Sequence, residues 1–109
     1  MSGYTDHYSR WVENKILTEG FDRVIENTFG LVGEAGEVAD KIKKLVRDNK
    51  DAVCTPNEQI MDECGDTLFY LTALANIYGF GLSDLIIRNM AKLDSREERG
   101  TLRGSGDNR

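Results

Sequence analysis

Apolar side chains recur along this chain with the period of an α-helix almost from end to end. No segment alternates apolar and polar residues as a half-buried strand would. A first helix is predicted over about Thr5 to Leu17, with Tyr8, Trp11, Val12 and Ile16 as its larger apolar side chains and Gly20 ending it. The second helix carries the clearest pattern. Leu31, Ala35, Val38, Ala39, Ile42, Leu45 and Val46 form one stripe that runs to about Asn49, and Asn27 or Thr28 could cap its start. Lys41, Lys43, Lys44 and Arg47 crowd its C-terminal half, where cations suit the helix dipole, and read as a solvated face.

A loop over Asp48 to Thr55 leads to Thr55-Pro56-Asn57-Glu58, which reads as a helix start with Thr55 as N-cap, Pro56 at N1 and Glu58 closing a capping box. The third helix places Ile60, Cys64, Leu68, Leu71, Ala75 and Tyr78 on one stripe, and Gly79 and Gly81 stop it. Ser83 is placed to cap a fourth helix, whose apolar residues are Leu82, Leu85, Ile86, Met90 and Leu93. A single proline fits long uninterrupted helices. The expected architecture is all-α, a four-helix bundle-like protomer. It divides into one domain over residues 1–99 and a glycine-rich polar tail over residues 100–109, mobile by composition.

Composition narrows the function. At 109 residues the chain is one domain by size. Its 39% apolar and 30% charged residues are those of globular material. Acids outnumber bases 19 to 14, for a net charge of −5, which opposes binding to nucleic-acid polymers. No apolar run approaches a membrane span. The first residues lack the basic and apolar regions of a secretory signal. Cys54 and Cys64, ten apart, match neither a zinc ligand set nor a disulfide framework, and read as free thiols of a reducing cytoplasm. The single histidine, His7, excludes a site built on several imidazoles.

The chemistry sits in a repeat. Glu34-Ala35-Gly36-Glu37 in the second helix and Glu63-Cys64-Gly65-Asp66 in the third are both acid-x-Gly-acid, 29 residues apart. The apolar stripes follow the same offset, pairing Leu31 with Ile60, Ala35 with Cys64, Ala39 with Leu68, Ile42 with Leu71 and Leu45 with Leu74. In both helices the first acid flanks the stripe and the second lies about 60° further round on the same side. If the stripes pack together, four carboxylates converge, and like charges at close range call for a cation. Oxygen ligands without His or Cys select a hard cation, Mg²⁺ with Mn²⁺ as substitute. A mid-helix glycine costs roughly 1 kcal/mol against alanine, so a glycine in each copy suggests close approach of a helix, a ligand or bound water. A di-iron bundle is the competing metal reading, but it expects Glu-x-x-His pairs, and His7 lies outside the acidic pairs.

These residues resemble the MazG-like nucleoside triphosphate pyrophosphohydrolases of the all-α NTP pyrophosphatase superfamily. The likeness rests on Glu34-x-x-Glu37, then 25 residues, then Glu63-x-x-Asp66. GLVGEAGEVADKIKK and ECGDTLFYLTALA are close to that family's two central helices. Asn89, Lys92-Leu93 and Arg96 resemble its downstream N-x-x-K…R segment, and RGTLRGSGDNR looks like the tail of phage and bacterial members. The resemblance covers roughly Phe29 to the C-terminus. It implies hydrolysis of a nucleoside triphosphate to the monophosphate and pyrophosphate, with Glu34, Glu37, Glu63 and Asp66 as Mg²⁺ ligands. It further implies phosphate contacts from Lys92 and Arg96, and sugar or phosphate contact from Asn89. Tyr70, four after Asp66, and Trp11 are the candidates for stacking on the base. Many members carry an acid where Gly33 stands here, so the general base stays open between a carboxylate of the four and metal-bound water. The resemblance also implies a homodimer or homotetramer with the nucleotide near the subunit interface, and four short helices leave a small core that a second copy would extend. A non-catalytic helical module that binds nucleotide or metal, and a purely structural bundle, are the alternatives.

Overall fold

A computed structural model describes residues 3–100, all of whose regular structure is helical. The elements are α1 (Tyr4–Lys15), α2 (Gly20–Asp48), a 3₁₀ turn (Lys50–Ala52), α3 (Glu58–Ile77) and α4 (Leu82–Glu98). The tail expected over 100–109 lies, from residue 101 on, outside the described residues. No single described helix is long and apolar enough to cross a membrane.

α2 and α3 form the body of the protomer and run antiparallel. Gly30 lies against Tyr70, Lys41 reaches Glu63, and Ile42 and Ile60 line one cavity, so numbers fall on one helix as they rise on the other. α1 packs on α3 and α4, while α4 touches α1 and α3 but not α2. Gly79, at φ +83°, closes α3. The amide of Phe80 donates to the carbonyl of Ala75 at 2.9 Å and that of Gly79 to Asn76 at 3.1 Å, a Schellman closure. The chain then turns by 94° into α4.

Three helix starts differ from the sequence reading. α2 begins at Gly20, not at Asn27 or Thr28. Asn27 is instead inside the helix and 2% exposed. Its Nδ2 donates to the carbonyl of Arg23 at 2.7 Å, which satisfies the buried amide without ending the helix. α3 is capped by Asn57 rather than Thr55. Asn57 Oδ1 accepts from the amide of Ile60 at 3.1 Å, leaving Pro56 ahead of the cap and Glu58 as the first helical residue. Thr55 Oγ1 donates back to the carbonyl of Ala52 at 2.7 Å, which occupies it in the preceding turn. At α4 the cap is Gly81, and Asp84 Oδ2 accepts from its amide at 2.9 Å. Ser83 is buried and donates to Asp6 Oδ1 on α1 at 3.2 Å.

Ser9 joins three helices. Its Oγ donates to the carbonyl of Thr5 at 3.1 Å and accepts from the amide of Leu82 at 2.8 Å, capping α4 from α1. Asn76 Nδ2 of α3 donates to the Ser9 carbonyl at 3.0 Å. Arg23 pairs with Glu13 and ties α1 to α2.

The core is small. Val12, Ile60, Ala73 and Ala75 are the buried apolar residues. Much of the predicted stripe stays at the surface, because α3 covers only one side of the long α2 and α4 does not reach it. Ala35, Ala39, Ile42 and Val46 are exposed on α2, and Leu68, Leu71 and Tyr78 on α3. Leu17, Phe21, Phe29, Val32 and Met61 add to this apolar surface.

Because Ser9 satisfies the first amide of α4, Ser9→Ala is expected to lower the unfolding free energy by about 1–2 kcal/mol. Urea unfolding followed by circular dichroism measures this loss.

Candidate metal centre

The antiparallel pair turns the sequence repeat into a cluster. Glu34 of α2 meets both acids of the α3 copy, Glu63 and Asp66. Carboxylate oxygens of Glu34, Glu63 and Asp66 lie within 4.8 Å of one another. Glu34 and Glu63 are half-buried and Asp66 is exposed. Glu37, on the exposed face of α2, stands outside this tight group but close enough for its charge to act on Glu34. Gly36 and Gly65 have nothing within 4 Å of where a Cβ would stand, so among the described residues no helix closely approaches the twin glycines.

Like charge dominates the site. A hydrogen bond between Glu34 and Glu63 holds the Glu34 carboxyl above the usual carboxylate range. Partial burial adds to the shift, as do the charges of Asp66, Glu63 and Glu37. Lys41 Nζ supplies a counter-charge, 4.0 Å from Glu63 Oε1. The donor set suits a hard divalent cation: all oxygen, negatively charged, with neither His nor Cys in the group. Glu34, Glu63 and Asp66 are the residues that would hold such an ion.

An aromatic file borders the acids. Tyr8 stacks on Trp11 with ring centres 5.7 Å apart, Trp11 meets Phe69 edge-on at 6.0 Å, and Phe69 meets Tyr70 edge-on at 5.4 Å. Lys15 Nζ sits 5.3 Å from the centre of the Trp11 ring. Burial pushes the Tyr8 hydroxyl up, and the charge of Asp66 pushes it the same way, which sets Tyr8 beside the acid cluster. Trp11 is 43% exposed, leaving area for a flat ligand. The Tyr70 ring lies so close to α2 that a Cβ on Gly30 would stand 2.4 Å from it.

The residues singled out on α4 are placed elsewhere. Asn89 and Lys92 are exposed and line an open cleft of 470 Å³ with Leu85, Arg88 and Ala91. Arg96 is 5% exposed and does not share that accessible edge. Since α4 makes no contact with α2, packing within the protomer does not bring these residues onto Glu34 and Glu37. Three residues at the site escaped the sequence reading. Lys41 lies seven after Glu34 and four after Glu37, so its helical spacing was a usable signal. Tyr8 and Gly30 carried no such signal, because each meets its partner through tertiary packing.

The raised Glu34 pKa has a direct consequence for stability without divalent ions. The folded state binds that proton more tightly than the unfolded chain. The contribution is therefore fully present below the ordinary carboxylate pKa and is lost as pH rises through Glu34's own. Glu34→Gln is expected to raise the melting temperature at pH 7 in a chelator, with a smaller gain at pH 4. Scanning calorimetry at both pH values checks the sign and its pH dependence.

Comparison with known proteins identifies the family. The Gene 37 protein of Mycobacterium phage L5 is 50% identical to the chain over 84 residues, spanning 75% of this chain and 73% of that protein. No solved structure matches this chain. The profile of the MazG nucleotide pyrophosphohydrolase domain, a family typically dependent on a divalent metal, matches residues 24–101. That span takes in α2 after its first turn, α3, α4 and all four acids, and it leaves α1 outside. With the match covering well over half of its length, the chain belongs to the MazG nucleotide pyrophosphohydrolase domain family.

Proposed function

We propose that this protein hydrolyses (d)NTPs between the α and β phosphates, releasing (d)NMP and pyrophosphate, with Mg²⁺ as its metal and Mn²⁺ as a substitute. The observation that carries the reading is the convergence of Glu34, Glu63 and Asp66 in a chain of this family. Glu37 completes the ligand set from the same helix face as Glu34. A divalent ion held by these carboxylates would supply neutralisation of phosphate charge and a more acidic water. Water attacks the α-phosphorus, the bond to the bridging oxygen breaks, and pyrophosphate departs. Gly33 supplies no carboxylate, so the general base lies between one of these four acids and metal-bound water. Trp11 and Tyr70 form the wall against which the base stacks.

Asn89 and Lys92 serve the phosphates in this reading, and α4 brings them to the acids of a second copy rather than to its own α2, whereas the buried Arg96 does not share that role. The exposed apolar residues of α2 and α3 support such a homodimer or homotetramer, since a soluble monomer rarely leaves so much apolar surface uncovered. The role is nucleotide pool control or housecleaning in the cytoplasm of a bacterium or of a phage-infected host. Gly33 also favours a second reading, a module that binds nucleotide without turning it over.

With Mg²⁺ and a panel of dNTPs and NTPs, pyrophosphate and monophosphate are expected in equal amounts from at least one substrate. Glu63→Gln is expected to reduce the rate at least 100-fold. Tight nucleotide binding by calorimetry without any release would instead establish the binding module. Sedimentation at micromolar concentration is expected to give twice or four times the chain mass, and a clean monomer would remove the second copy from the site.

A further inference from the structure

We propose that the cleft between the C-terminal half of α2 and the start of α3 is a subsite for the pyrophosphoryl end of the substrate, with Lys41 as its cation. The inference rests on the triphosphate reading above. It assigns to the protomer's own α2 a phosphate contact that α4 does not provide there.

The cleft is a cavity of 240 Å³ lined by Lys41, Lys44, Leu45, Asp48, Asn57 and Gln59. Lys41 belongs to both places. It lines the cleft, and its ammonium lies 4.0 Å from Glu63 in the acid cluster. The side chain is about a third exposed, so its long stem can swing between the two. On α2 it follows Glu34 and Glu37 along one face. A chain of phosphates that starts at the carboxylates and runs along this face toward the C-terminal end of α2 meets Lys41 next.

The other charges around the cleft are already paired. Asp48 takes two hydrogen bonds from Arg47, at 2.6 and 2.7 Å. Lys44 is held by Asp40 at 2.9 Å. Neither acid therefore presents a bare negative charge to an entering anion, and Gln59 adds amide donors. Lys41 differs because its partner belongs to the cluster. With the carboxylates neutralised by a divalent ion, the attraction of Glu63 for Lys41 would weaken and the ammonium would be free to turn toward the cleft. There it would meet the oxygens of the departing pyrophosphate, where negative charge grows as the α–β bond breaks. In the metal-free protein the same ammonium stands in for the missing positive charge.

This dual role predicts opposite effects on two ligands, which loss of a merely structural contact would not give. In full-length protein without nucleotide, Lys41→Gln is expected to bind Mn²⁺ about 2- to 5-fold more tightly, because a competing cation is gone. With saturating Mg²⁺, the same variant is expected to bind inorganic pyrophosphate at least about 10-fold more weakly. Binding of a nucleoside monophosphate should change little. Lys41→Arg should keep most of the pyrophosphate affinity. Lys43→Gln, on an exposed residue that does not line the cleft, should match the parent. Electron paramagnetic resonance for Mn²⁺ and calorimetry for the phosphates read these values without turnover. The subsite is overturned if Lys41→Gln binds pyrophosphate like the parent, or if it weakens monophosphate to the same degree. If the parent binds no pyrophosphate and cleaves no triphosphate, the reading of function falls and the subsite with it. A parent that cleaves normally beside an indistinguishable Lys41→Gln removes the subsite alone.

Discussion

Repulsion among carboxylates that the backbone forces together is the constraint around which this protein is organised. Much of each apolar stripe stays at the surface, and the faces of α2 and α3 that are turned from solvent carry Glu34 and Glu63 themselves. Packing these two helices antiparallel therefore packs acids as well. A hydrogen bond between Glu34 and Glu63 and the ammonium of Lys41 relieve the strain only in part. Such an arrangement lowers the stability of the empty protein, and it favours any ligand that brings positive charge. The acidity of the whole chain, unfavourable for bare phosphates, is in this way concentrated where a cation can use it.

The features legible in the sequence were those set by period. The stripes of α2 and α3 stand out because each residue's neighbours lie three or four positions away, and the 29-residue offset exposed the acid repeat before any packing was known. Helix starts were harder, since neighbouring residues offer equivalent caps. Thr55 and Asn57 can each accept an amide, and only the path of the loop decides that Asn57 does so. Asn27 misled because a residue suited to capping can also bond the carbonyl four positions back when it is buried inside a helix. The course of α4 was beyond sequence reasoning. Gly79 announces a turn, but its angle is fixed by Ser9 and Asp6 on a helix some seventy residues earlier.

The same nonlocal placement of α4 explains why the site is unevenly complete. The acids and the aromatic file come together through α1, α2 and α3, whose contacts are mutually supporting. The residues of α4 hang from Ser9 and the α3 turn, away from α2. The long outer face of α2 is left with apolar side chains and no helix of its own protomer to cover them. The proposed metal ligands, base platform and phosphate contacts thus differ in how much of the molecule must assemble to bring them together.

The contact between Tyr70 and Gly30 bears on alignment. The aromatic ring rests on bare helix backbone where any side chain would collide with it. Moving α3 by one residue along α2 would set the ring against Phe29 or Leu31 instead. Helix stripes alone tolerate such slippage, because neighbouring apolar residues are nearly interchangeable as packing partners. A single notch of glycine under a ring removes that freedom. Four residues from Glu34 and four from Asp66, it works as a vernier stop, making the spacing of the carboxylates a matter of steric exclusion rather than of their own mutual attraction, which they lack.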